Sequence, residues 1–329
     1  GGGPRPLEVP MAKYAIQRLI LAIPTVIGLT LVIFFLVRVA VPVDAVDIAS
    51  AASERVDVER EARLREEYGL SGSLPEQYLG WAGRMLTGDF GTSFFTGRSV
   101  IEEMSRRIPV SLELGLGALI ITLVVAIPVG LLSAARQDSL PDYVARGGAI
   151  LFYAVPGFWV ATLVLVFGSI QFNWAPTIDY QNLWDDPVSN LKQVWVPMVI
   201  LGLSPIGTLT RLVRTQVLEV IRQDYVRTAR AKGLDTRGVY FRHILRNSLL
   251  PIITVVGLQL PRLVAGTVIF EQIFVLPGVG RYLLDSVQRL DLYVIMATNL
   301  FFGMLLVLSN ILVDLSYASI DPRIRLSRS

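Results

Sequence analysis

Six long runs with almost no charge decide what this chain can fold into. Residues 19–37 give 19 uncharged positions between Arg18 and Arg38, 114–135 give 22 between Glu113 and Arg136, and 147–178 give 32, with a polar tail after about Phe172. Residues 194–210 run to Arg211 almost unbroken, 249–270 are interrupted only by Arg262, and 292–313 give 22 positions between Asp291 and Asp314. A hydrocarbon core about 30 Å thick takes roughly 20 helical residues to cross. The sequence therefore predicts an all-α membrane protein with six transmembrane helices, the fourth of them short. Only 17% of the residues are charged and 53% are hydrophobic, against about 25% charge in a soluble domain. With no cysteine and one histidine, the chain excludes a disulfide framework, a cysteine-based zinc or redox site and a multi-histidine metal site. A net charge of +3 is too small to argue for a nucleic-acid partner.

Lysines and arginines near the span ends set the expected orientation. With the N-terminus inside, the inner segments carry Lys13, Arg18, Arg136, Arg146, Arg323, Arg325, Arg328 and nine more from Arg211 to Arg246; the short outer loops carry only Lys192, Arg281 and Arg289. Both termini are expected in the cytoplasm, and the chain in the cell membrane. The first run follows Lys13 and Arg18 as a secretory signal would, but its 19 residues exceed the usual apolar region of about 7–15. It reads as a retained span, residues 11–41. Residues 1–10 precede a candidate initiator, Met11, and read as a tag or disordered lead. Residues 42–108, with eight Lys/Arg against twelve Asp/Glu, form an extracytoplasmic segment, with an exposed mixed-charge helix over 58–68 ended by Gly69. That segment is either a solvated cap or a docking surface for an external partner. Prolines fall in the spans at Pro24, Pro128, Pro156, Pro205 and Pro261, and residues 202–207 (GLSPIG) read as the most breakable stretch.

The segment 218–248 carries the functional argument. Nine basic and three acidic residues lie from Arg211 to Arg246, in a loop too short for a catalytic domain. Residues 224–232 (DYVRTARAK) read as a short amphipathic helix with Asp224 as N-cap, stopped by Gly233, where a left-handed residue commonly ends a helix. A second helix over about 236–250 leads back to the membrane at Pro251. A helix, a glycine and a helix under the bilayer suggest a bracket on which a cytoplasmic partner pushes. The same basic cluster also serves as an anchor against anionic lipid.

The string YVRTARAKGL (residues 225–234), followed by V…H.LRNSLLP (Val239 to Pro251), resembles the cytoplasmic loop of binding-protein-dependent ABC importer permeases, B-type subunit of the oligopeptide, dipeptide and nickel branch. Further matches lie in QY…GDFGTS (77–93), RIPVSLELG (107–115), VPGFW (155–159), EQIFVLPGVGR (271–281) and the tail from Asn310 to Arg325. The resemblance spans about residues 11–326. It departs at VPVD (41–44), where many relatives carry Pro-Gly-Asp-Pro. It implies a type I ABC importer permease architecture: a core over 109–320, coupling loop included, and a cytoplasmic tail over 321–329. It implies that Tyr225, Val226, Arg227, Thr228, Ala229, Arg230, Ala231, Lys232, Gly233 and Leu234 form the coupling helix, seated on a separate ATPase subunit. It also implies a second permease chain, two ATPases that hold ATP and Mg, and an external solute-binding protein, with no cofactor on this chain. The sequence has no GxxxxGK[ST] phosphate cradle, and Pro277-Gly278-Val279-Gly280-Arg281 has the wrong spacing.

Arg262 is the one full charge well inside a run, and Gln259 lies nearly a turn away. Intramembrane charge faces a bundle interior or a water-filled path, so the two are candidates for the translocation path; the competing reading is an internal ion pair of Arg262 with Glu271. Glu271, Pro277, Gly278, Gly280 and Arg281 form a candidate outer gate or partner loop, and otherwise a re-entrant turn. His243 reads as a packing residue, and Asp314, Asp321 and Arg323 as caps and anchors. The resulting function is an importer subunit for peptides. Nickel chelates, oligosaccharides, a homodimeric permease and a passive channel stay open, whereas an intramembrane enzyme lacks a nucleophile–base pair.

Overall fold

In a computed structural model of the chain, the described residues are 11–40, 65–66, 71–177, 179–231, 238, 244 and 246–320. Among them the helices are α1 (Met11–Ala40), α2 (Leu74–Leu86), α3 (Val100–Ala135), α4 (Leu140–Ala154), α5 (Gly157–Phe172), α6 (Pro187–Ile221), α7 (Asp224–Ala231), α8 (Arg246–Ile273), α9 (Val279–Arg289) and α10 (Leu292–Ile320). There is no strand among the described residues, only an isolated bridge between Thr92 and Ser99. Five helices (α1, α3, α6, α8 and α10) are long and apolar enough to cross a membrane; α4 and α5 make a sixth, bent pair. The chain divides into two compact units, one drawn from Gly1–Leu19, Leu112–Leu276 and Leu308–Ser329, the other from Ile20–Ser111 and Pro277–Val307.

The bend corrects the expected third span. The run over 147–178 is two helices meeting at 89°. The break falls at Val155-Pro156, where Val155 is extended (ψ 123°) and Pro156 caps α5. Proline disfavours helical backbone in the residue before it, and here the chain turns rather than tolerating a kink. By contrast α6 runs unbroken through Pro197 and Pro205, so the stretch expected to break does not. Neighbours on several sides hold it: 61% of its apolar window is buried, against 17% for α1. Nor is this span short. Asp186 caps it by accepting from Val188 N and Ser189 N, both at 3.1 Å. The Ser189 hydroxyl first, and then the Ser189 amide, hold the Asp186 carboxyl below the usual range. The helix of the second span begins at Val100, so the last residues of the 42–108 segment, 100–108, are helical.

In the first unit the glycines of α3 and α6 are points of close approach. A Cβ at Gly130 would lie 2.9 Å from Thr210 O and 2.7 Å from the Val213 Cβ, and one at Gly202 3.2 Å from Ala118 O. Gly207 sits directly under the Ala149 carbonyl of α4. Small residues let transmembrane backbones approach in this way. Gly207→Ala is therefore expected to force α4 from α6 at an overpacking cost of about 1–3 kcal/mol. Heat inactivation of the detergent-solubilised protein measures it, and an unchanged midpoint would show that the two helices separate freely. At the membrane ends of α1 and α10, Arg18 pairs with Asp314 at 2.9 Å, the anchoring role expected of Asp314.

At the end of α8, Leu276 N bonds Glu271 O at 2.9 Å, the six-to-one bond of a Schellman cap. The left-handed position of that cap holds Val275 at φ 57° instead of glycine. Left-handed backbone costs a side-chain-bearing residue about 1–2 kcal/mol, more than the roughly 0.5–1 kcal/mol that a glycine loses in entropy. Val275→Gly is expected to raise the heat-inactivation midpoint; a fall would show that the packing of the valine outweighs its strain.

In the second unit, Phe34, Trp81, Val100, Met104, Val279, Met296 and their neighbours form one buried core. Ser93 donates to Asp291 at 2.6 Å, Ser111 accepts from Val279 N at 2.9 Å, and the Arg107 guanidinium lies 4.6 Å from the Tyr282 ring centroid. Burial first, then the Asp291 carboxylate, push the Tyr282 phenol up to about 12.

Candidate functional site

The chain leaves α6 at Ile221 and enters α7 within three residues. Val226 N and Arg227 N bond back to Gln223 O at 3.0 and 3.3 Å, so Gln223 occupies the capping position and Asp224 is the first helical residue, not the N-cap expected. An acidic group there still complements the helix dipole, and its 3.5 Å pairing with Arg227 is fully open to solvent and worth little. Of the predicted coupling residues, Val226 is 0% exposed, while Tyr225, Arg227, Thr228 and Ala231 are exposed. Ala229 and Arg230 continue the helix. Lys232, Gly233 and Leu234, with His243 and most of the second loop helix, lie outside the described residues.

Val226 belongs to a buried apolar cluster with Val213 and Val217 of α6, Ala126 and Ala134 of α3, Ile252 of α8, and Ile244. One valine thus keys α7 into the bundle, while Asp224, Tyr225, Arg227, Thr228 and Ala231 of the same helix are accessible. Beside it, the last turns of α6 line an open groove of about 400 Å³ with Arg214, Leu218, Glu219 and Arg222.

Three residues along α6 from Val217 stands the arginine of a buried polar cluster that the sequence reading missed. Arg214 grips Asp142 of α4 with two parallel bonds, Nε to Oδ1 and the terminal nitrogen to Oδ2, each 2.7 Å. Asp142 is 0% exposed and accepts further bonds from Ser133 of α3 and from Asp138 N at 3.0 Å. Bidentate, charge-assisted bonds are the strong ones. The cluster ties α3, α4 and α6 together immediately next to the key of α7. Its sequence signal is an acid, Asp142, in the first turn of a helix between the membrane-end charges Arg136 and Arg146.

A second polar cluster lies between α3 and the start of α6. The Tyr180 hydroxyl donates to Glu113 at 2.8 Å, and the buried Asn190 amide donates to the Tyr180 hydroxyl at 3.1 Å and to Gln181 O at 3.0 Å. Burial first, then the Glu113 carboxylate, hold the Tyr180 phenol well above its usual range, so it stays a donor.

Gln259 is half-buried and Arg262 exposed on one face of α8. The competing reading, an ion pair with Glu271, is not found among the described residues. Among the described residues Arg262 has no ion-pair partner, whereas Glu271 is 0% exposed and takes the Thr267 hydroxyl at 2.6 Å. Nine residues on one helix put two side chains on opposite faces, about 13 Å apart along the axis, so that pair could not form. Glu271 belongs to the first unit; Pro277, Gly278, Gly280 and Arg281 belong to the second, where both glycines are buried and the other two half-buried.

The glycine-packed bundle with a short basic helix keyed to its end defines a multi-pass membrane subunit of the transporter kind. Residues 126–326 match the family described as binding-protein-dependent transport system inner membrane component. This chain belongs to that family. It is 37% identical over 317 residues to the oligopeptide transport system permease protein AppB of Bacillus subtilis (strain 168), covering 95% of this chain and 99% of the relative. To the dipeptide transport system permease protein DppB of Escherichia coli (strain K12) it is 36% identical over 338 residues, covering 96% and 99%. A chain of the MetNI methionine ABC transporter, solved in inward-facing conformations, shares the fold at a TM-score of 0.52 and 14% identity, over 66% of this chain and 96% of that one.

Proposed function

We propose that this chain is the transmembrane subunit of an ATP-driven peptide importer, forming half of the translocation path and taking its power stroke through α7. The observation that carries the coupling role is the buried key, Val226, beside the exposed Tyr225, Arg227, Thr228 and Ala231. A segment held in this way transmits displacement to α6 and α3 while leaving its outer face free. Residues 225–234 would seat on an ATPase, with ATP and Mg held by that partner, since the chain has no phosphate cradle of its own. A second permease chain would complete the path, with Gln259 and Arg262 facing it. An external solute-binding protein would deliver cargo near Glu271, Pro277, Gly278, Gly280 and Arg281. With the lysine- and arginine-rich ends inside, both termini, α7 and the 321–329 tail would lie in the cytoplasm.

Peptides are favoured over nickel chelates or oligosaccharides because the relatives over the full chain length are named for oligopeptide and dipeptide transport. The test is uptake of a labelled tripeptide into proteoliposomes holding the chain with its co-purifying permease, ATPases and binding protein. ATP-dependent accumulation of peptide is expected. Stimulated ATP hydrolysis without peptide uptake would overturn the substrate, and a chain that purifies without any ATPase would overturn the assembly.

A further inference from the structure

We infer that α2 is an in-plane membrane helix whose leucines Leu79 and Leu86 are embedded in the lipid leaflet at the Arg38 end of α1. The segment between the first two spans was expected to be a solvated cap or a docking surface; where α2 sits argues for neither.

At 100° per residue, α2 has three sectors. Tyr78, Trp81 and Met85 form the first, which is packed into the core of the second unit. Pro75, Leu79, Ala82 and Leu86 fall within about 60° of one another in the second, where Leu79 is 68% and Leu86 90% exposed. Glu76, Gln77 and Arg84 make up the third. The charged groups of that polar sector are engaged away from the leucines. Glu76 accepts from Ser73 N at 2.8 Å, and Arg84 donates to the Tyr293 hydroxyl at 3.2 Å.

The depth of α2 comes from its partners on α1. The Tyr78 and Thr30 hydroxyls are 3.0 Å apart, and the Phe34 ring lies 5.5 Å from Tyr78 and 5.8 Å from Trp81. Thr30 and Phe34 are eight and four residues inward of Arg38, the charge that ends the first uncharged run. At 1.5 Å per residue they lie about 12 and 6 Å below it. The Tyr78–Trp81 part of α2, docked at that level, lies beneath the headgroups, the position of an interfacial amphipathic helix with its apolar side about 5–10 Å into the acyl boundary, while Arg84 near its other end reaches Tyr293, two residues inside Asp291. Tyr78 and Trp81 are the aromatic residues that such a boundary collects. On its opposite side α1 exposes Val32, Phe35 and Leu36 at the same depth. Leu86, 90% exposed, would there meet acyl chains rather than water.

The chain has no cysteine, so Leu79→Cys, Leu86→Cys and Glu76→Cys each accept one environment-sensitive fluorophore without further change. The labelled chain, in its full complex, is placed in phosphatidylcholine nanodiscs and quenched either by doxyl-labelled lipid or by aqueous iodide. Labels at 79 and 86 are expected to emit to the blue and to be quenched several-fold more by the lipid than by iodide, with the reverse at 76. Iodide quenching at 86 equal to that at 76 would overturn the proposal in favour of a solvated cap. Protection from both quenchers that ends when the partner permease or binding protein is removed would overturn it in favour of a protein occupant.

Discussion

Arg214→Ala is expected to cost the folded chain about 3–5 kcal/mol, the loss typical of breaking a buried ion pair from one side. The cost comes from what remains behind. Asp142 is 0% exposed and would keep its Ser133 and Asp138 N donors, but neither neutralises its charge. A carboxylate left in such a place either protonates or drags water and backbone apart. Removing both charges is the milder lesion, so Asp142→Asn with Arg214→Met is expected to recover a large part of the loss. The measurement is the fraction of monodisperse protein surviving a graded heat challenge in detergent, with the four members of the double-mutant cycle run together. A single Arg214→Ala that survives as well as the double variant would show that the pair carries no coupling. Lysine at 214 is expected to rescue only partly, because an ammonium cannot reproduce the two parallel bonds of the guanidinium.

This cluster also marks where sequence reasoning stops. Spans could be located because each is a composition event: a run of uncharged residues between charges such as Arg18 and Arg38, fixed by the thickness of hydrocarbon. The bend at Val155-Pro156 and the straightness at Pro205 could not, although both are prolines in apolar runs. The difference lies in neighbours, since α6 is held on several faces while the chain at Val155 is free to turn. Asp142 and Arg214 are separated by 71 intervening residues, and each looked like an ordinary charge at a membrane end until folding placed one against the other. For the coupling segment the motif, the glycine and the basic count were legible. That Val226 alone of its described side chains points inward was half legible: in the amphipathic pattern it is the aliphatic residue among arginines and threonine, but its partners come from α3, α6 and α8.

Val226→Asp follows from that burial as the second large effect: peptide uptake by the complete transporter is expected to fall at least about tenfold, equivalent to roughly 1.4 kcal/mol or more of lost coupling, while ATP hydrolysis persists. An aspartate cannot remain ionised among Val213, Val217, Ile244 and Ile252 without a partner or water. Detaching α7 is the cheaper response. The helix has only eight residues, too few to be stable without docking, so its displacement limits the cost to the fold. The bundle beneath, closed by its own apolar contacts and by the Asp142–Arg214 clamp, stays assembled. Destabilisation alone would lower uptake and hydrolysis together and shift the heat-inactivation midpoint. Uncoupling separates them: hydrolysis continues, the midpoint moves little, and cargo stops. Measuring the ratio of peptide moved to ATP hydrolysed in proteoliposomes, for Val226→Asp beside Val226→Ile, distinguishes the two. A ratio unchanged from the parent would mean that the stroke enters the bundle somewhere other than this valine.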